Sequence, residues 1–116
     1  MLPRRIPKER NRSERWRSQA HCGFVRSHGC CVPGCDGRPI EAAHRRIGSD
    51  AGMGRKPADY FTVSLCKAHH GQQHIIGEPT FWREVAKRDA HDTAAEFAAK
   101  SPKAAEIRAI QRERGL

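Results

Sequence analysis

Alternating and helical patterns of apolar and polar positions divide the chain into a few clear elements. Ser13 can cap a helix running to about Ser27, with Trp16, Ala20 and Phe24 at i, i+4 and i+8 on its buried face, although Gly23 weakens this segment. The Trp and Phe there are expected in the core. Ile40-Glu41-Ala42-Ala43 reads as a short strand delivering His44, and the β-rich run Tyr60-Phe61-Thr62-Val63-Ser64-Leu65 reads as a second strand. A helix then starts near Lys67 and ends at Ile75-Ile76, with Gly77 as C-cap. Pro79 opens another, Thr80 to about Ala90, packing Phe81, Trp82 and Val85; residues 92–99 continue helically. Pro102 starts a last helix, Lys103 to Arg114, whose apolar positions are mostly Ala and Ile. That face is thin, so residues 92–116 are expected as peripheral C-terminal helices or an oligomer contact. The order predicts an α+β fold: a ββα unit preceded by one helix and followed by C-terminal helices.

Composition sharpens this picture. Hydrophobic residues make up 37% and charged residues 30%, with a mean hydropathy of -0.79. A domain so polar often relies on a metal for stability. No apolar run approaches the roughly 20 residues of a membrane span. The basic N-terminus also lacks the apolar core of a signal peptide, so a cytoplasmic protein without membrane contact is expected. Five cysteines, an odd number in a reducing compartment, point to ligands rather than disulfides.

Lys and Arg total 22 against 13 Asp and Glu, a net charge of +9 that favours a polyanionic partner, DNA before others. Residues 1–17 hold seven basic and two acidic side chains, +5 of that excess. Residues 1–12 are therefore expected as a disordered basic arm that touches phosphates without reading sequence; the alternative is a solubilising tail. Residues 13–91 form the expected zinc-stabilised domain.

The richest chemistry lies in Leu65-Cys66-Lys67-Ala68-His69-His70-Gly71-Gln72-Gln73-His74. On a helix beginning near Lys67, His70 and His74 share a face one turn apart, while His69 points about 100° away. Two faces suggest two metal sites. Upstream, Cys30-Cys31-Val32-Pro33-Gly34-Cys35 forms a tight knuckle in which Pro and Gly let thiolates converge. Cys31, Cys35, Cys66 and His69 are the expected tetrahedral zinc ligands, with Cys30 the alternative for the first position. A competing arrangement is one zinc site from Cys35, Cys66, His70 and His74. Cys22 is left over as a small buried hydrophobe. Gly48 to Pro57 reads as a flexible loop with a cationic tip, Arg55-Lys56, and does not match a nucleotide-binding loop.

Cys31-x3-Cys35, Glu41-Ala-Ala-His44, Gly52-Met-Gly-Arg-Lys56-Pro-Ala-Asp59 and Leu65-Cys66-x2-His69-His70-x3-His74 together resemble the HNH (His-Me finger, ββα-metal) endonucleases. Within these, the pattern is most similar to the small phage-borne branch related to the Ref recombination nuclease, and it covers roughly residues 20–85. The resemblance implies a treble-clef-like ββα-metal core with a structural zinc on Cys31, Cys35, Cys66 and His69. It implies a catalytic Mg²⁺ or Mn²⁺ on His70 and His74, and His44 as general base. The implied activity is divalent-metal-dependent hydrolysis of DNA phosphodiester bonds in phage recombination or processing, with a recombinase or similar protein as a possible partner.

The chain departs from that pattern at two places. Many members carry Asp or His where Ala43 stands, so Glu41 or Asp59 is the candidate oxygen ligand for the catalytic ion. The Asn of the family name has no counterpart before Leu65, and Asp59 is the nearest polar residue. Glu41 is alternatively an orienter of a histidine or an ordinary strand carboxylate. Histidine suits the base because imidazole ordinarily changes charge near neutral pH. Arg45, Arg46, Arg55 and Lys56 are candidate DNA-binding phosphate clamps. The rival class is a non-catalytic zinc module that binds DNA through charge; it explains the cysteines and leaves His44, His70 and His74 without a role.

Overall fold

The computed structural model describes residues 15–49 and 56–114. The basic arm 1–12, Ser13 and Arg55 lie outside the described residues. The chain runs α1 (Gln19–Arg26), β1 (Ile40–His44), a 3-10 turn (Asp59–Phe61), β2 (Thr62–Cys66) and α2 (Lys67–Ile76). After these come α3 (Glu78–Thr80), a π-helical turn (Phe81–Ala86), α4 (Ala90–Lys100) and α5 (Ala104–Glu113). It is a small α+β domain with a two-stranded antiparallel sheet, in which Ile40 faces Cys66 and His44 faces Thr62.

Strand alternation assigns the faces. Ile40, Ala42 and His44 lie on one side of β1, Glu41 and Ala43 on the other. Ala43 joins Val63, Leu65, Phe81, Trp82 and Ala94 in the main core. Each large side chain buried there contributes about 1.5–3 kcal/mol. The Ala42 and His44 side faces α1 across a cavity.

The first helix begins later than its apolar spacing suggests. Ser18 is the N-cap, its Oγ accepting from the His21 N–H at 3.0 Å. The residues before it are fastened elsewhere: Asp59 N–H donates to Trp16 O at 2.9 Å, and Ser18 N–H donates to Asp59 Oδ2 at 2.7 Å. The buried face is His21 and Val25, and Ala20 is exposed. Phe24 is half-buried, and Trp16 packs outside the helix against a second core cluster. Buried His21 has its Nδ1 2.8 Å from Ser101 Oγ; desolvation, partly offset by Asp59, holds its pKa below the ordinary value.

Tyr60 and Phe61 belong to the 3-10 turn rather than to the strand, because Thr62 Oγ1 and the Phe61 N–H both bond back to residues 58–59. Gly77 does end α2, at φ 90 with its N–H on Gln73 O. The next helix stops well short of Ala90. Its second half is a π-helical turn that Lys87 closes in the left-handed region, and Asp89 then caps α4. The C-terminal helices are not peripheral as expected. Ala94 of α4 sits in the main core, while Ala98 and Ile107 bury with Ala58, Tyr60 and Phe61. Small alanines let these helices approach closely, and one deeply buried isoleucine anchors the last. Trp16 Nε1 donates to Glu106 Oε2 at 2.7 Å, tying α5 to the start of the described chain.

Candidate functional site

One group of metal-ligating atoms closes on itself. Cys30, Cys35 and Cys66 Sγ and a His69 ring nitrogen all lie within 4.8 Å of one another. His69 Nδ1 is 3.5, 3.4 and 3.3 Å from Cys30, Cys35 and Cys66, and the Cys35 and Cys66 sulfurs are 3.9 Å apart. A tetrahedral zinc with Zn–S of about 2.3 Å and Zn–N of about 2.0–2.1 Å sets the sulfurs about 3.8 Å apart and sulfur to nitrogen about 3.5 Å. The donors fit. Three thiols and one imidazole in this arrangement can hold a metal such as zinc.

Local sequence explains the convergence. Val32-Pro33-Gly34-Cys35 is a turn closed by Cys35 N–H on Val32 O, with Gly34 at φ +75, as a type II turn requires of its third residue. Gly37 is also needed: a Cβ there would lie 3.0 Å from Cys66 Sγ and 3.4 Å from Cys35 Sγ. Cys66 ends β2 and caps α2, accepting the His69 N–H at 3.4 Å. Burial alone would raise the Cys66 thiol, but that N–H and the neighbouring thiols of Cys35 and Cys30 hold it below its ordinary pKa. Burial chiefly pushes the Cys30 thiol up to about 11. Metal uptake must displace that proton and so weakens in acid.

Cys31, the expected first ligand, is corrected to Cys30. The Cys31 N–H bonds Ser64 O at 2.9 Å, and its buried Sγ turns to Ser64 Oγ in the core. With the Cys31 side chain held in the core beside β2, it is the Cys30 Sγ that reaches the cluster. The single site from Cys35, Cys66, His70 and His74 does not form either, since His69 and Cys30 complete the tetrahedron.

His70 and His74 do share a face of α2, with ring centroids 4.9 Å apart. His70 Nδ1 lies 2.6 Å from Glu41 Oε1. A carboxylate only accepts, so Nδ1 carries the hydrogen and Nε2 keeps its lone pair for a ligand. Glu41 is thus an orienter of His70. Among the described residues, Glu41, His70 and His74 do not close into a three-ligand group.

His44 and Asp59 make a second carboxylate–imidazole pair. His44 Nε2 donates to Asp59 Oδ1 at 2.9 Å, which leaves Nδ1 as the basic nitrogen. Asp59 is corrected from a candidate metal ligand to a hub, since it also takes the Ser18 N–H and lies 3.5 Å from Arg17 Nη1. Burial would raise its carboxyl, but the hydrogen bonds from His44 and Ser18 and the Arg17 charge hold it below the ordinary carboxylate value. This pair and Glu41 sit on opposite faces of β1.

The cavity beside His44 measures about 460 Å³ and is lined by Arg17, Arg26 and Lys56 as well as Cys22. Cys22 is therefore not a core hydrophobe. It is half-buried, and burial, then Asp59, push its thiol up to about 11. Among the expected phosphate clamps, Lys56 lines this cavity and Arg46 is exposed, its backbone N–H held by Glu78. Arg45 is corrected to a structural residue. It is 5% exposed, donates to Ile47 O, lies 3.1 Å from His91 Nδ1 and stacks on Phe61 at 5.1 Å. Arg17 and Arg26 were not foreseen. A basic residue at each end of α1 was the only signal, and it needed the fold to bring them to His44.

Fold and site together define a small α+β domain built around a thiolate–imidazole cluster able to bind a metal. The family model described as "Protein of unknown function (DUF968)" matches residues 4–95, so the chain belongs to that family. It is also similar to "Uncharacterized protein YdfU" of Escherichia coli (strain K12), 34% identical over 71 residues. That match covers 60% of this chain and 18% of the relative, so the chain spans under a fifth of the relative's length. No solved structure matches. Among the described residues, no helix is long and apolar enough to cross a membrane.

Proposed function

We propose that this protein is a divalent-metal-dependent endonuclease that hydrolyses DNA phosphodiester bonds, and that its β1–β2–α2 unit is the ββα-metal core of the HNH nucleases that the sequence resembles. The observation that carries this reading is the presence of two carboxylate–imidazole pairs, Asp59–His44 and Glu41–His70, on opposite faces of one short strand. A merely structural zinc module has no use for either. β1 pairs with β2 on one side only among the described residues. In this reading a DNA strand crosses the open edge of β1, with His44 on one face and His70 and His74 toward the other.

In this reading Asp59 holds the His44 ring and its Nε2–H, and His44 Nδ1 accepts a proton from the attacking water. The water oxygen bonds to phosphorus, the bond from phosphorus to the 3′ oxygen breaks, and solvent returns a proton to that oxygen. A positioned base contributes on the order of 10²–10⁴-fold. His70, oriented by Glu41, and His74 would hold Mg²⁺ or Mn²⁺, which supplies Lewis-acid stabilisation of phosphate charge. The cysteine cluster, with zinc, fixes β2 and the start of α2 and so sets the histidine positions.

Plasmid nicking with Mg²⁺ or Mn²⁺, before and after chelation, tests the reading. Wild-type protein should nick and the chelated sample should not. His44→Ala should keep its melting temperature and DNA affinity while losing about a hundredfold or more in rate. Absence of nicking by zinc-loaded wild type with either ion would leave the DNA-binding zinc module as the better account.

A further inference from the structure

We propose that the cavity on the His44 face is a phosphate subsite for a DNA strand, in which the Arg26 guanidinium and the Lys56 ammonium hold a phosphodiester group beside the His44 ring. The nuclease reading supplies the identity of the ligand; the charge arrangement stands by itself. The cavity, of about 460 Å³, gathers three cations and one carboxylate from three separate segments. The carboxylate is spent, because Asp59 serves Ser18, His44 and Arg17. Arg17 is spent too: its Nη1 donates to Pro57 O at 2.5 Å and its Nη2 to Lys56 O at 3.0 Å. Arg26 and Lys56 remain. Both side chains are exposed, and among the described residues neither has a carboxylate within ion-pair distance.

Arg26 and Lys56 line this one cavity with His44 and Cys22, and each lowers the Cys22 thiol against the larger effect of burial. Two unneutralised positive charges over a cleft concentrate anions there. A guanidinium offers paired donors and an ammonium a compact charge, and both suit a phosphate. His44 lines the same cavity, so a phosphate held there keeps the bound strand against that histidine.

Binding of a fluorescein-labelled DNA duplex, measured without divalent ions across a range of KCl, reads the subsite apart from cleavage. Arg26→Gln/Lys56→Gln should keep the wild-type melting temperature and bind about tenfold or more weakly. Its slope of log K against log salt should be shallower by about 1.8, the loss of two phosphate contacts. Arg88→Gln/Lys100→Gln, which removes equal formal charge from another cavity, beside Phe24 and Phe97, should change the slope by less than half as much. Equal changes in both doubles, an unchanged slope in the first, or no DNA binding by wild type would overturn the subsite. Wild type that binds with this pattern yet never nicks DNA would overturn the nuclease reading and leave the subsite standing.

Discussion

Cys66 and His69 meet Cys30 and Cys35 within 4.8 Å, while among the described residues His70 and His74, on the same helix, meet each other and one carboxylate. Both sets are built from side chains that bind metals, yet one is closed and the other is open. Backbone geometry makes the difference. The cysteines hang on a tight turn, a strand end and a helix cap, and their sulfurs converge on one point. His70 is held by one carboxylate that fixes its tautomer and direction, and the His74 ring lies beside it. A closed tetrahedral set suits a structural metal, and an open one leaves positions for a substrate.

The sharpest way to break this contrast is to remove a sulfur. Cys30→Ser should lose bound zinc and the cooperative melt, since a structural zinc contributes roughly 10–16 kcal/mol of apparent binding energy. Cys31→Ser should keep the zinc and cost only about 1–3 kcal/mol, as expected for a polar change in the core. Elemental analysis with thermal melts decides it, and the opposite pattern would restore Cys31 as the ligand.

The next test divides two adjacent histidines. His69→Ala should lower zinc content and melting temperature together. His70→Ala should stay folded and zinc-loaded but lose Mg²⁺- or Mn²⁺-dependent nicking by about a hundredfold or more. Loss of zinc from His70→Ala would merge the two sets into one site.

A gentler perturbation crowds the cluster without deleting a ligand. Gly37→Ala places a methyl group 3.0 Å from Cys66 Sγ. It should reduce stability by about 1–3 kcal/mol and loosen zinc, read by competition with a chromogenic chelator. Unchanged affinity would mean that the knuckle yields freely.

The smallest expected effect is on pH dependence. Burial holds His21 below its ordinary 6.5, so as pH falls through that value the unfolded chain takes the proton first and stability declines. Asp59 is more acidic folded than unfolded. Its contribution is whole above about 3.8 and is lost as pH falls through its lower folded value. Melting temperature with zinc content followed in parallel should therefore fall in two windows, and His21→Gln should remove the upper one. A variant that keeps the upper step would assign it to another group.

Much of the fold was legible because short-range signals agree with long-range ones. The strand around Ile40–His44, the helix from Lys67 to Ile76 and its Gly77 stop each follow from local pattern, and all appear. The Cys66–His69 spacing also survives, because a helix start fixes it regardless of what surrounds it. The first helix starts later than its local pattern predicts because Asp59, some forty residues on, fastens Trp16 and Ser18 outside it.

By itself, the sequence determined which side chains are available for metal, base and phosphate, and which of them share a helix face. Local geometry suffices for that: successive members of Cys66, His69, His70 and His74 lie within about one helical turn of each other. Only the tertiary structure decided which neighbour of a pair is used. Cys30 rather than Cys31 joins the cluster because a β2 carbonyl claims the Cys31 N–H. Arg45 turns inward onto Phe61 while Arg17 and Arg26 come to His44. Such choices depend on contacts between residues far apart in the chain, where spacing carries no information and packing, burial and hydrogen-bond satisfaction do.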